Sequence, residues 1–146
     1  MNTKYILEDL NVSRETIELL NNYVGILKRW NKTINLISRG SLNSLWERHV
    51  LDSAQLCSFF EPTKKNWVDL GSGAGFPGMV IAIIAKEQLP GLRVTLIESD
   101  QRKCVFLSEV SRRLELDIKV LSVRIEDCVS LNADIISARA LAPMKK

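Results

Sequence analysis

Cysteine is scarce in this chain of 146 residues. Cys57, Cys104 and Cys128 are odd in number, widely separated and never in a C-x-x-C pair, which argues against a disulfide framework and against a zinc site. Reduced core thiols and no metal are expected. No apolar run approaches the roughly 18–20 residues of a membrane span, and Met1-Asn2-Thr3-Lys4-Tyr5 lacks the charged-then-apolar layout of a signal peptide. A cytoplasmic protein with no membrane attachment is expected. There is no large excess of one charge either: the formal net charge is +3 and the pI about 8.8. Such a balance helps a protein approach phosphate but falls short of a basic stripe.

What is present is 46% apolar residues and 25% charged ones, enough for one globular domain with a sizeable core. Ile17, Leu20, Val24 and Leu27 recur at helical spacing between Ser13 and Trp30, with Ser13 placed as a cap. A second helix is expected from a cap at Ser41, with Leu42, Leu45, Trp46 and His49 on one side. Residues 1–60 read as a helical extension. After the polar break Glu61-Pro62-Thr63-Lys64-Lys65 the pattern becomes strand, turn and helix: Trp67 to Leu70, the turn Gly71 to Gly78, then Met79 to Lys86. It repeats as strand Arg93 to Glu98 and helix Asp100 to Leu116, the latter burying Val105, Phe106, Val110 and Leu114. Strands Ile118 to Val123 and Ala133 to Ser137 follow. The alternation predicts an α/β fold, a mostly parallel sheet with helices on both faces, over residues 61–146, the two parts forming one domain. A strand near 135 belongs in the interior of a doubly wound sheet, yet only Arg139 to Lys146 follow and read as a loop. C-terminal strands are expected to be missing, with an exposed sheet edge.

Strand, glycine turn and helix in that order make a ligand site at the carboxyl edge of a parallel sheet. Two frames compete within the turn. Gly73-x-Gly75-x-x-Gly78 satisfies the dinucleotide fingerprint and admits a nicotinamide-dependent oxidoreductase. Its first glycine, however, lies four residues beyond Asp69, whereas a dinucleotide turn follows its strand at once. The frame Asp69-x-Gly71-x-Gly73-x-Gly75 begins at the strand's end and looks like the first motif of class I methyltransferases, which favours S-adenosyl-L-methionine. An acid at the end of the next strand is then expected to hold the ribose hydroxyls, and Glu98 stands there. The segment Ser137-Ala138-Arg139-Ala140-Leu141 lacks the Asn/Asp-Pro-Pro-aromatic sequence of amino-group methyltransferases, and no cysteine stands beside proline as in pyrimidine-C5 enzymes.

Five ordered segments carry a resemblance: Trp30-Asn31-Lys32-x-x-Asn35-Leu36, Arg48-His49-x-x-Asp52-Ser53, Asp69 to Gly78, Glu98-Ser99-x-x-Arg102-Lys103-x-x-Phe106-Leu107, and Ser137-x-Arg139-Ala140. On these the chain resembles the ribosomal RNA small-subunit methyltransferase G family, also called the glucose-inhibited division protein B family. The resemblance implies a Rossmann-like class I fold with several further C-terminal strands. It also implies S-adenosyl-L-methionine as cofactor and methylation of guanine N7 in 16S ribosomal RNA, with the small ribosomal subunit as partner. Carried onto matching positions, the cofactor contacts fall on Gly71, Phe76, Ile125, Glu126 and Arg139, to which the turn adds Gly73 and Gly75. No catalytic side chain is expected, because N7 has an in-plane lone pair and no proton to remove. A fragment that binds cofactor but is catalytically incomplete stays open as an alternative. His49 is expected to order a loop, Trp30, Trp46 and Trp67 to pack in the core, and Lys28, Arg29, Lys32, Arg102, Lys103, Arg112 and Arg113 to serve either as solvated faces or as phosphate contacts.

Overall fold

The computed structural model describes residues 8, 10–128 and 131–139. Met1–Tyr5 and the segment beyond Arg139, read above as a loop, lie outside them. Helix α1 spans Arg14–Trp30, and the Ser13 hydroxyl accepts the Thr16 N–H at 3.3 Å, as the capping pattern requires. Its buried stripe includes Ile17, Leu20, Val24 and Leu27, each worth about 1.5–3 kcal/mol when fully buried.

The second helical stretch differs from expectation. Ser38, not Ser41, caps a short α2 at Arg39–Leu42 by accepting the Ser41 N–H at 3.2 Å. A π-helical segment Trp46–Leu51 then runs into α3, Asp52–Ala54, and a 3-10 turn Gln55–Phe59. Ser41 is itself the third residue of that helix, its N–H taken by the Ser38 hydroxyl, so it stands inside the first turn and not at the cap.

Strands β1 (Asn66–Leu70), β2 (Arg93–Glu98), β3 (Ile118–Ser122) and β4 (Ile135–Ala138) form one parallel sheet in the order β3-β2-β1-β4. Helix α4, Gly78–Gln88, joins β1 to β2, and α5, Gln101–Arg113, joins β2 to β3. Both crossovers step in the same direction across the sheet, so right-handedness places α4 and α5 on one face. Trp67, Val94 and Leu96 join the core beneath those helices, and α1 packs on both. The return from β3 to β4 crosses the opposite face, where the described chain forms a single 3-10 turn, Ile125–Asp127, in place of a helix. Ile136 on β4 is 62% exposed there.

In α5, Asp100 is the cap rather than the first helical residue, accepting the N–H groups of Arg102 and Lys103. Phe106, Val110 and Leu114 are buried as expected, but Val105 is 59% exposed. At 100° per residue it lies opposite the face that Phe106, Leu107 and Val110 turn inward. Trp67 is buried in the core and Trp30 and Trp46 pack partly buried against it. All three cysteines are free; Cys104 is buried and Cys57 and Cys128 are half-buried.

Candidate functional site

The turn after β1 is shaped by glycines that no other residue replaces easily. Gly71, Gly73 and Gly75 have φ of 66°, 54° and 103°, in the region L side chains avoid. Gly75 is also crowded: a Cβ there would lie 2.6 Å from the Tyr23 hydroxyl and 2.8 Å from Met79 Cβ. At Gly73, by contrast, a Cβ would meet, among the described residues, only the Gly71 carbonyl at 3.9 Å. One glycine thus packs the turn onto the helices below, and the other leaves its upper side open.

Several polar contacts hold the turn. The buried Tyr23 hydroxyl donates to the Ala74 carbonyl, tying α1 to the turn, and the ring meets Phe76 edge-on with centroids 5.5 Å apart. Asp69, fully buried, accepts the Gly78 N–H at 3.1 Å and the Ser137 hydroxyl at 2.8 Å; Ser137 in turn accepts the Trp67 indole N–H at 2.9 Å. Desolvation raises the Asp69 pKa, against the lowering effect of its hydrogen bonds to Ser137, Ser72 and Gly78. Glu98 bridges two loops, accepting the Gly73 N–H and the Asp100 N–H, each at 2.8 Å.

Above the turn lies an open cleft of about 380 Å³ at the carboxyl ends of β1, β2 and β4. Gly71, Gly73, Phe76, Glu98 and Arg139 line it together, as do His49, Leu36, Ile37 and Lys103. Gly75 lies beneath the cleft rather than on it. Ile125 and Glu126 occupy the 3-10 turn after β3, at the same sheet edge, and are not among the lining residues.

The segment Arg48-His49-x-x-Asp52 converges on Arg139. The guanidinium donates to the Arg48 carbonyl at 2.8 Å and lies 3.4 Å from the Asp52 carboxylate, while Nη1 is buried with no hydrogen-bond partner among the described residues. His49 stacks on Phe76, centroids 4.9 Å apart and planes 26° from parallel, and neither ring nitrogen has a hydrogen-bond partner among the described residues. Desolvation, then the nearby Arg139 charge, lowers its pKa, against the smaller raising effect of Asp52. A ring held neutral and stacked suits the loop-ordering role, though it also walls the cleft. Tyr23, Ile37 and Ser137 were not legible as site residues. For Tyr23 the one available signal was a polar hydroxyl beside the apolar stripe of α1, which needs an acceptor if buried.

The model of the family described as rRNA small subunit methyltransferase G matches residues 16–146. The chain belongs to this family. Members include the ribosomal RNA small subunit methyltransferases G of Cereibacter sphaeroides, 50% identical over 95% of this chain and 68% of that protein, and of Jannaschia sp., 51% identical over 97% and 66%. That of Parvibaculum lavamentivorans is 51% identical over 93% of this chain and 61% of its own length. The chain therefore spans about two thirds of the length of these relatives. Among solved structures, the plantazolicin methyltransferase BpumL in complex with SAH aligns with a TM-score of 0.44 at 17% identity, covering 86% of this chain and 50% of that one. Membership in a methyltransferase family removes the support for the nicotinamide reading of Gly73-x-Gly75-x-x-Gly78. Among the described residues no helix is long and apolar enough to cross a membrane, and no group of three or more His, Cys, Asp or Glu is placed to hold a metal ion.

Proposed function

We propose that this chain uses S-adenosyl-L-methionine to methylate N7 of a guanine in 16S ribosomal RNA, acting on the small ribosomal subunit, and that residues 1–60 and 61–146 work as one domain. The observation that carries the reading is the cleft itself, in which the turn Gly71 to Phe76, the Glu98 carboxylate and the Arg139 guanidinium meet at one sheet edge.

The residues fit the cofactor. Gly73 leaves backbone open to approach, and Arg139 Nη1 is a buried donor with no partner among the described residues. Glu98 accepts one N–H on each oxygen, and each oxygen keeps a second lone pair for a ribose hydroxyl. Gly71, Gly73 and Phe76 would wall the adenosine and methionine portions, with Gly75 supporting them from below. Ile125 and Glu126, after β3, would meet the adenine edge. When bound, the cofactor supplies an electrophilic methyl group on a sulfonium.

Guanine N7 offers an in-plane lone pair and carries no proton, so the chain needs no general base. Its residues contribute by alignment and by exclusion of water, and holding two reactants in line is a large effect in its own right. His49, neutral and stacked on Phe76, limits water at the cleft wall without taking a proton. The base must leave any stack to present N7, which makes a single-stranded loop or a flipped base the substrate.

The test is calorimetric titration of S-adenosyl-L-methionine and its demethylated product, followed by incubation with small subunits and labelled cofactor. Binding of both and a single 7-methylguanosine in 16S RNA are expected. Methylation at another atom, or cofactor binding with no transfer, would overturn the reading; the latter would favour a catalytically incomplete fragment.

A further inference from the structure

A second and larger concavity, about 790 Å³, lies between the end of α1 and α2. It meets the cofactor cleft directly, because Leu36 and Ile37 line both. Three cations line it: Lys28 in the last turn of α1, Lys32 in the turn just beyond it, and Arg39 at the start of α2. Lys28 and Lys32 are both exposed, and both line this one hollow. Among the described lining residues none is acidic, and among the described residues none of the three cations forms an ion pair. Asn31, Asn35, Ser38 and Asn43 complete the polar lining.

The loop that separates the two concavities is built, not slack. Asn31 Oδ1 accepts the N–H groups of Leu36 and Ile37 at 2.8 and 3.0 Å, so the end of α1 fixes the shared wall. An ordinary solvated surface intersperses charges of both signs. Here three cations face one hollow with no described carboxylate to neutralise them, which is the electrostatic pattern of a phosphate-binding groove.

Resting on the function proposed above, we propose that this groove holds the phosphate backbone of the single-stranded RNA that flanks the methylated base. With the base in the cleft, a strand that leaves over Leu36 and Ile37 meets this surface next, since those two residues line both hollows. Lys28, Lys32 and Arg39 pair with phosphates, which positions the strand without reading its sequence. Leu36, Ile37 and Leu42 offer apolar surface to unstacked bases.

The test compares the unaltered chain with K28Q/K32Q/R39Q and with K64Q/K119Q, which removes cations elsewhere. The probes are a fluorescein-labelled single-stranded oligoribonucleotide containing guanines, a duplex RNA of equal length, and an acidic peptide. Salt dependence is read by anisotropy and cofactor affinity by calorimetry. Loss of three phosphate contacts to a single strand lowers the slope of log affinity against log salt by about 2. The expected result is that drop in the triple variant, at least about tenfold weaker single-strand binding at low salt, and unchanged cofactor affinity; K64Q/K119Q keeps the original slope. An unchanged slope in the triple variant overturns the proposal, as does an equal loss with duplex RNA or the acidic peptide. If the chain binds cofactor and methylates small subunits while the slope is unchanged, only the groove is refuted. If no methylation occurs but the charge-dependent single-strand binding persists, the function reading falls and with it the flanking role of the groove, which is then a single-strand RNA site alone.

Discussion

Replacing Tyr23 with Phe isolates one contact between the helical extension and the cofactor turn. The ring is fully buried and meets Phe76 edge-on, and Phe preserves both features. What goes is the hydroxyl that donates to the Ala74 carbonyl. A typical hydrogen bond contributes about 0.5–1.5 kcal/mol net, and leaving its buried acceptor unpaired costs about 1–3 kcal/mol. A loss near 2 kcal/mol is therefore expected, which for a chain of this size lowers Tm by about 4–8 °C. Because the acceptor left unpaired belongs to the turn, cofactor affinity should fall as well, by roughly three- to tenfold at a cost of about 1 kcal/mol. Urea unfolding followed by tryptophan fluorescence gives the first number and calorimetry the second. A stability change below about 0.5 kcal/mol with unaltered affinity would refute the idea that α1 holds the turn through this hydroxyl.

Gly75→Ala should destabilise by about 3 kcal/mol or more, since it combines a backbone at φ 103° with a Cβ overlapping Tyr23 and Met79. Gly25→Ala, in the middle of α1 with nothing within 4 Å of the added Cβ, should stabilise by about 0.5–1 kcal/mol; chemical denaturation of both variants should show opposite signs. Glu98→Gln leaves one of two N–H donors facing an amide NH2 and should weaken cofactor binding by about 2 kcal/mol, roughly thirtyfold, in a titration. Since the folded pKa of His49 lies below its ordinary 6.5, the unfolded chain takes up the proton first as pH falls. Its contribution to stability is full above about 6.5 and declines below that until the folded pKa is reached, so His49→Phe should flatten denaturation midpoints measured across this window.

Much of the fold was legible because its elements are simple in pattern. Helix α1 carries both a cap and a stripe, and β2 is a run of β-branched and apolar residues whose ends match expectation to the residue. The helices from Ser38 to Phe59 were harder, since successive short turns of π, α and 3-10 type share no single period. Crossover direction is likewise invisible in a one-dimensional pattern, and strand order β3-β2-β1-β4 is what puts α4 and α5 on one face. At the site, the glycines Gly71 and Gly73 and the acid Glu98 stood out because a glycine turn and an acid at strand ends carry local signals, whereas Phe76 and Arg139 were reached only through the family resemblance; all five meet in one cleft. Tyr23 and Ser137 act through partners 51 and 68 residues away, and no local pattern announces such a pairing.

The serine on β4 has a consequence for alignment. Side chains alternate between the two faces of a strand, so sliding β4 by one residue along β1 would bring Ile136 or Ala138 to the place of Ser137. The indole N–H of Trp67 and the carboxylate of Asp69 would then each lose a partner inside the core. The same slip would carry the next residue, Arg139, away from the Arg48 carbonyl. A single hydroxyl in an apolar layer thus acts as a ruler, setting where along the sheet edge a positive charge emerges.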